Sequence, residues 1–146
     1  AEPEIFDLVQ LIKDVRKGYK PNLRNMEVVA SVRAPGKPVM VEAVRADLED
    51  AVGDIFSEML RVSAGRVKNT IEVCVSGGKA VCLTKIKVDE LMLDDAGDAE
   101  TDGTFDSTKN AIEKNGGRFI VSYADKGLKT GFLVNCAEDE AGGTPE

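Results

Sequence analysis

Apolar residues recur every three or four positions in two long stretches of the chain, the pattern of a helix with one buried face. The first stretch runs from Ile5 to Val15 and is followed by Gly18. It predicts an amphipathic helix that ends at this glycine, with a linker over 20–25. The second runs from Val44 to Val62 and is the longest helical signal in the sequence.

Shorter segments rich in β-branched or alternating apolar residues predict the strands. Two hairpin turns are expected, one at the Gly77-Gly78 pair and one over 124–127. A third, short helix is predicted at 105–115, where Gly116-Gly117 would end it. The predicted strands are 26–34, a short extended piece at 39–41, 70–75, 80–88, 118–123 and 129–136.

This order of elements predicts an α/β two-layer sandwich. We expect a mixed, mostly antiparallel sheet of about five strands with about three helices on one face. The length of 146 residues fits a single domain. We assign the domain to residues 1–136, and the small, acidic segment 137–146 is expected to be a disordered tail.

The charge of the chain limits its partners. With 19 basic and 26 acidic residues the formal net charge is -7, which disfavours nucleic acid and direct contact with an anionic membrane. A protein partner with a basic surface is expected instead. The segment from Asp89 to Asp106 has eight acidic residues and no Lys or Arg, so a self-repelling, mobile loop is predicted there.

The cysteines and the absence of histidine narrow the chemistry further. Cys74, Cys82 and Cys136 are odd in number and lie in strand-like runs, which favours buried, reduced thiols and a cytoplasmic location. Because the chain has no histidine, it contains neither a Ser-His-Asp triad nor a phosphoacceptor histidine of its own.

The order helix, hairpin, acidic glycine-containing loop and short helix, followed by Gly116-Gly117 and then Phe132 in the last strand, resembles a known family. It is similar to the catalytic and ATP-binding domain of histidine kinases, a GHKL-type ATPase with the Bergerat fold. The resemblance covers Phe6 to Cys136. It implies a histidine-kinase-like ATPase fold, a role in bacterial two-component signalling, and a homodimeric parent protein that carries the phosphoacceptor histidine outside this chain.

The resemblance also implies where a nucleotide would bind, and the side chains there depart from the family pattern. The family's long helix carries an acidic or amide residue and, four positions later, an Asn that completes Mg²⁺ coordination. In the matching frame Glu58 is suitable and is the one candidate for a general base. Val62 stands in the place of the Asn and has no oxygen to offer a metal, so no metal site is expected.

The loop positions depart in the same way. The family's Asp-x-Gly-x-Gly turn holds the adenine base, and here Asp89 is kept while Leu91 and Leu93 replace the glycines. The lid glycine corresponds to Gly103, which follows Asp102, a side chain that would repel a phosphate. These four positions, Asp89, Leu91, Leu93 and Gly103, complete the expected pocket.

The sequence therefore predicts a degenerate ATPase-like domain, without ATP or Mg²⁺ as a cofactor, that acts as a regulatory or docking module for a response-regulator receiver or a histidine kinase. The alternative is an active ATP-binding catalytic domain. In it Asp89 would hold adenine, Glu58 or Asp54 would reach Mg²⁺, and phosphate would pass to a histidine outside this chain. A scaffold domain of unrelated fold is a third possibility.

Three local features stay open at this level. Leu91, Met92 and Leu93 either plug the pocket or form an exposed docking spot. Residues 98–103 resemble the start of a calcium loop, although Lys109 stands at the twelfth position, where a bidentate Glu is needed. Glu58 is either a base or a carboxylate paired with Arg61 or Arg66.

Overall fold

The central sheet has five strands in a mixed arrangement. A computed structural model of the chain describes residues 2–63, 68–87, 105–124 and 127–137. The strands in these residues are β1 (Glu4–Asp7), β2 (Val29–Arg33), β3 (Met40–Ala43), β4 (Lys68–Ser76), β5 (Lys79–Lys87), β6 (Arg118–Ala124) and β7 (Gly127–Asn135). The large sheet has the order β2-β4-β5-β7-β6, in which only the β2–β4 pair is parallel. β1 and β3 form a separate antiparallel pair.

Helices cover one face of this sheet. In the described residues they are α1 (Leu8–Asn25), α2 (Arg45–Val62) and α3 (Asp106–Lys114). The predicted fold class, helices over a mixed and mostly antiparallel five-stranded sheet, is confirmed. The β1–β3 pair is an addition that the sequence did not predict. None of the helices in the described parts of the chain combines the length and the apolar character that crossing a bilayer requires.

The core lies between the helices and the sheet, because strand side chains alternate between its two faces. On β5, Ala80, Cys82 and Ile86 are buried, whereas Lys85 and Lys87 between and beyond them are exposed. The helices contribute their periodic apolar positions to the same core. Its largest fully buried side chains include Phe56, Phe132, Leu8, Leu11, Ile12, Leu48, Ile55 and Met59. The opposite face of the sheet is called the open face below.

The N-terminal helix differs from its prediction at both ends. Residues 4–7 form β1, and α1 begins after Asp7, whose carboxylate accepts from the backbone N–H groups of Val9 at 3.0 Å and Val39 at 3.2 Å. The helix runs through Gly18 and Pro21 to Asn25, so the predicted linker over 20–25 is wrong.

Packing against α2 explains why α1 continues past its glycine. The Tyr19 ring stacks on Phe56 with centroids 5.4 Å apart, and its hydroxyl donates to the Gly53 carbonyl at 3.1 Å. Leu23 in the last turns is also buried. Such tertiary contacts outweigh the weak local stop signals of Gly18 and Pro21.

Glycines end two elements as predicted. Gly77 and Gly78 have positive φ angles of 58° and 77°, which suits the tight hairpin between β4 and β5. Gly116, with a φ of 79°, follows α3. Its N–H donates to the Glu113 carbonyl, and the next N–H, of Gly117, donates to the Ile112 carbonyl. This is the Schellman arrangement that closes a helix.

The cysteines and the start of the tail need two adjustments. Cys82 and Cys136 are buried as predicted, but Cys74 is exposed, because it lies on the open face of β4. Burial raises the pKa of the Cys82 thiol to about 12. Ala137, the first residue assigned to the tail, is buried and donates its N–H to the Met40 carbonyl at 2.9 Å. Residues 138–146 lie outside the described residues.

Candidate functional site: the cleft between α2 and α3

A cleft between α2 and α3 holds Glu58 and Asp54, two side chains assigned to the predicted nucleotide site. It consists of two adjoining cavities of about 440 and 500 Å³, which share Asp54 and Ser107. The first contains Glu58 and Arg61, and the second extends to Lys114. Among the described residues, the lining is Asp47, Asp50, Ala51, Asp54, Ser57, Glu58, Arg61, Phe105, Ser107, Thr108, Asn110, Ala111 and Lys114. We call this region the α2–α3 cleft.

Glu58 lies in this cleft and forms an ion pair with Arg61. Its side chain is only 4% exposed. Arg61, one turn further along α2, donates from Nε to Oε1 at 2.9 Å and from a terminal guanidinium nitrogen to Oε2 at 2.6 Å. Such two-point pairing is strong and fixes both side chains. Of the alternatives left open for Glu58, pairing with Arg61 is confirmed, and Arg66 lies outside the described residues.

Asp54 is engaged as well, by α3. The buried Thr108 hydroxyl donates to Asp54 Oδ2 at 2.6 Å. This bond joins two helices whose residues are 54 positions apart. A carboxylate with a close donor is held in one orientation.

At the other end of the cleft Asn115 connects α3 to the start of α2. Its amide Nδ2 donates to Asp47 Oδ2 at 2.9 Å, and its Oδ1 accepts from the Val44 N–H at 2.8 Å. Val44 is the N-cap of α2 and provides no side-chain cap of its own, so Asn115 satisfies a backbone donor there. Lys114 Nζ lies 3.6 Å from the same Asp47 carboxylate. The sequence did not identify Asn115 or Thr108 as site residues.

Val62 lies elsewhere. It is fully buried in the hydrophobic core and is not among the described residues that line the cleft. Among the described residues, the acidic side chains that line the smaller of the two cavities are Asp54 and Glu58, which are one turn apart on α2.

The remaining predicted positions lie outside the described residues. These are Asp89, Leu91 with Met92 and Leu93, and Gly103 with the rest of the calcium-loop-like segment 98–103. Their assigned roles stay predictions. Lys109, at the twelfth position of that segment, is an exposed residue of α3. No group of three or more Cys, Asp or Glu side chains within the described ranges is placed to hold a metal ion.

The charges along the cleft do not suit a nucleotide phosphate. Asp47, Asp50, Asp54 and Glu58 follow each other at helical spacing on α2, and Asp106 begins α3. Arg61 and Lys114 are the basic residues among the described lining, and each is paired with one of these carboxylates. A polyphosphate would meet uncompensated negative charge here. The described lining of the cleft thus carries four acidic residues against two basic ones.

The fold is shared with solved histidine kinases. The catalytic domain of histidine kinase ThkA in a nucleotide-free form superposes with a TM-score of 0.76 at 15% identity, covering 92% of this chain and 96% of that one. Acinetobacter baumannii histidine kinase AdeS gives 0.75 at 16%, covering 92% of this chain and 67% of that one. ThkA in complex with the response regulator TrrA gives 0.76 at 15%, covering 92% and 42%.

Sequence comparison adds no closer relative. No protein-family model matches the chain, and no curated protein matches it either. The structural likeness covers nearly the whole chain at low identity, so it establishes the fold. The chain has the histidine-kinase ATPase fold of the GHKL type.

Proposed function

We propose that this chain is a degenerate histidine-kinase-type ATPase-like domain that acts as a regulatory or partner-docking module in two-component phosphorelay signalling. It would work in the cytoplasm without binding ATP and Mg²⁺ tightly. Its partner would be a response-regulator receiver or a histidine kinase. The complex of ThkA with a response regulator supports a partner of this kind for a protein of this fold.

One observation carries the proposal, namely that acidic side chains of the α2–α3 cleft already have partners within the domain. Arg61 forms an ion pair with the Glu58 carboxylate at 2.6 Å, and the Thr108 hydroxyl donates to the Asp54 carboxylate at 2.6 Å. For Glu58 to bind Mg²⁺, at least one of its two bonds to Arg61 would have to break. The further carboxylates along α2 would then oppose the phosphates that accompany the metal. Each cost weakens nucleotide binding.

The role of the parent protein follows from the proposed class. The chain has no histidine, so a phosphoryl group in such a relay would be carried by a histidine on another segment or another protein. A homodimeric parent, as the family resemblance implies, would place two copies of this domain beside each relay histidine. The domain would then affect signalling by contact and position rather than by its own phosphoryl transfer.

Thermal unfolding with and without Mg²⁺ and ADP tests the proposal. A ligand present at about 100 times its Kd raises the free energy of unfolding by about 2.7 kcal/mol, which is readily seen as a higher Tm. We expect no Tm change beyond that given by Mg²⁺ alone. A clear rise at millimolar nucleotide would contradict the proposal.

A second candidate, an active ATP-binding catalytic domain, is favoured by the placement of Asp54 and Glu58 one turn apart in the same cleft. If nucleotide does raise Tm, Glu58→Gln should abolish the rise in that case. Glu49→Gln on the exposed side of α2 is the matched control and should leave it unchanged. If the rise in Tm with nucleotide is lost in Glu58→Gln but kept in Glu49→Gln, the active ATP-binding catalytic domain replaces the proposed function.

A further inference from the structure

The open face of the sheet is basic, although the chain as a whole carries a net charge of -7. Alternation along each strand sends one set of side chains away from the helices, and on this face that set is rich in Lys and Arg. Glu72 is the acidic member of the described set, and it pairs with Arg33 at 3.5 Å. The basic residues are Arg33, Lys68, Lys79, Lys85, Lys87, Arg118 and Lys129.

Four of these lysines surround a groove on the open face. The groove has a volume of about 540 Å³, and Leu83 and Gly127 contribute to its lining. Glu72 also lines it, with its carboxylate paired to Arg33. We call this region the lysine groove. The lysines are Lys68, Lys85, Lys87 and Lys129, and all four are exposed.

Two of the lysines stand directly opposite each other. Lys85 on β5 and Lys129 on β7 are register partners, which places their Cβ atoms about 5 Å apart. Like charges in this position destabilise a sheet. None of the four groove lysines forms an ion pair with a described acidic residue. The fold thus sets two lysines opposite each other without a direct ion pair to a described acidic residue.

We propose that the lysine groove binds an acidic segment of a partner protein, one that carries carboxylates together with one or two apolar side chains. The carboxylates would pair with Lys85, Lys129 and their neighbours, and the apolar side chains would cover the floor around Leu83. Carboxylates bound between Lys85 and Lys129 would offset the like charges that lie opposite each other in the free domain, and this would favour binding.

The shape of the site favours a polypeptide over other polyanions. A bilayer surface is flat and would leave the apolar floor of the groove unfilled. Single-stranded nucleic acid is commonly held by stacking its bases on aromatic side chains, and none of the described residues lining the groove is aromatic. The net charge of -7 also repels extended polyanions, whereas a short acidic segment meets mainly the local field within a Debye length of about 8 Å.

This site goes beyond the proposed function and does not depend on it. The lysine groove is on the opposite side of the sheet from the α2–α3 cleft, and the two share no lining residue. Nucleotide binding in the cleft would overturn the proposed function and leave the groove proposal intact. Failure of acidic peptides to bind would overturn the groove proposal and leave the proposed function intact.

Fluorescence anisotropy with a labelled, end-blocked peptide of several glutamates and two leucines tests the proposal. The same peptide with glutamine in place of glutamate is the control ligand. We expect saturable binding of the acidic peptide that weakens as salt is raised, and at least tenfold weaker binding of the glutamine peptide. Equal binding of the two peptides, or no binding of either, would overturn the proposal.

Lys85→Glu separates a binding role from a structural one. It converts the like-charge pair with Lys129 into an opposite-charge pair, so Tm should rise while affinity for the acidic peptide falls at least tenfold. Lys13→Glu on α1 makes the same charge change at an exposed site remote from the groove, and it should leave affinity within about twofold. If both variants weaken binding equally, net charge rather than the groove is responsible.

Three further measurements exclude other occupants. Vesicles with phosphatidylserine and a single-stranded oligonucleotide are assayed in the same way, and both should bind more weakly than the peptide. Tighter binding of either one that is lost in Lys85→Glu would overturn the proposal in favour of that polyanion. Peptide binding that appears only after residues 138–146 are removed would also overturn it, because the chain's own acidic end would then be the occupant.

Discussion

The α2–α3 cleft and the lysine groove carry opposite charges and differ in how that charge is used. In the cleft Glu58 is held by Arg61, and Asp54 by Thr108. In the groove Lys85 and Lys129 face each other without a described acidic partner. The comparison teaches that most acidic residues of the cleft are engaged inside the domain, Glu58 within α2 and Asp54 and Asp47 across to α3 and its C-terminal end. On the open face the four groove lysines have no ion-pair partner among the described residues, so an acidic partner could pair with them.

The largest expected effect tests which side of α2 is core and which is cleft. Val62→Asn should lower the free energy of unfolding by about 3 kcal/mol, because it loses apolar burial and places an amide in an apolar environment. Urea unfolding measures this. Val29→Asn is the control at an exposed apolar site and should change stability little. A loss for Val62→Asn as small as that of the control would place Val62 at the cleft.

Removing Arg61 should have the next largest effect. Arg61→Ala leaves the Glu58 carboxylate buried without its two-point partner, and we expect a loss of about 2 kcal/mol in urea unfolding. Arg61→Lys should recover part of it, since an ammonium keeps the charge but not the paired geometry. Equal stability of all three proteins would mean that the Glu58–Arg61 ion pair does not contribute to stability.

Much of the fold could be predicted from local pattern, and the misses have a common cause. The long apolar periodicity of α2 and the Gly77-Gly78 turn define elements by themselves. β1 could not be predicted, because four residues form a strand only through pairing with β3 more than 30 positions away. α1 continues past Gly18 because of Tyr19, whose stacking on Phe56 is invisible in its own helix.

The candidate site shows the same division. The Glu58–Arg61 pair could be predicted from the sequence, because residues three apart on a helix are neighbours. Asp54–Thr108 and Asp47–Asn115 join helices that are distant in the sequence, so no spacing could indicate them. The alternating lysines of β5 were visible in the sequence, but their meaning depends on the register that sets Lys85 against Lys129.

A smaller effect of opposite sign is expected on the open face. Lys85→Glu should raise the free energy of unfolding by about 0.5 kcal/mol, since an opposite-charge cross-strand pair replaces a repulsive one. The gain should shrink in high salt, where exposed charges are screened. A gain that does not change with salt, or a loss, would show that Lys129 is not the group responsible.

The reaction rates of the cysteine thiols distinguish the open face of the sheet from the core. Cys74 should react rapidly with a thiol reagent in the folded protein, whereas Cys82 is buried with a pKa of about 12 and should react only on unfolding. Cys74→Ser should remove the rapid phase. A rapid phase that persists in this variant would contradict the assigned faces of β4.

The raised pKa of Cys82 also predicts how stability changes in alkali. Below the ordinary value of 9.0 the thiol is neutral in both folded and unfolded chains. As pH rises from 9.0 toward 12, the unfolded chain ionises first, so this group should lower stability over that window. Comparison of wild type with Cys82→Ala across the window isolates the effect.

The most direct test of the central claim is one calorimetric experiment in which the same protein is titrated with Mg²⁺–ADP and, separately, with the acidic peptide. The claim is that the α2–α3 cleft is closed by its own contacts while the lysine groove is open to a partner. It predicts heat of binding for the peptide and none for the nucleotide. Binding of the nucleotide without binding of the peptide would contradict it.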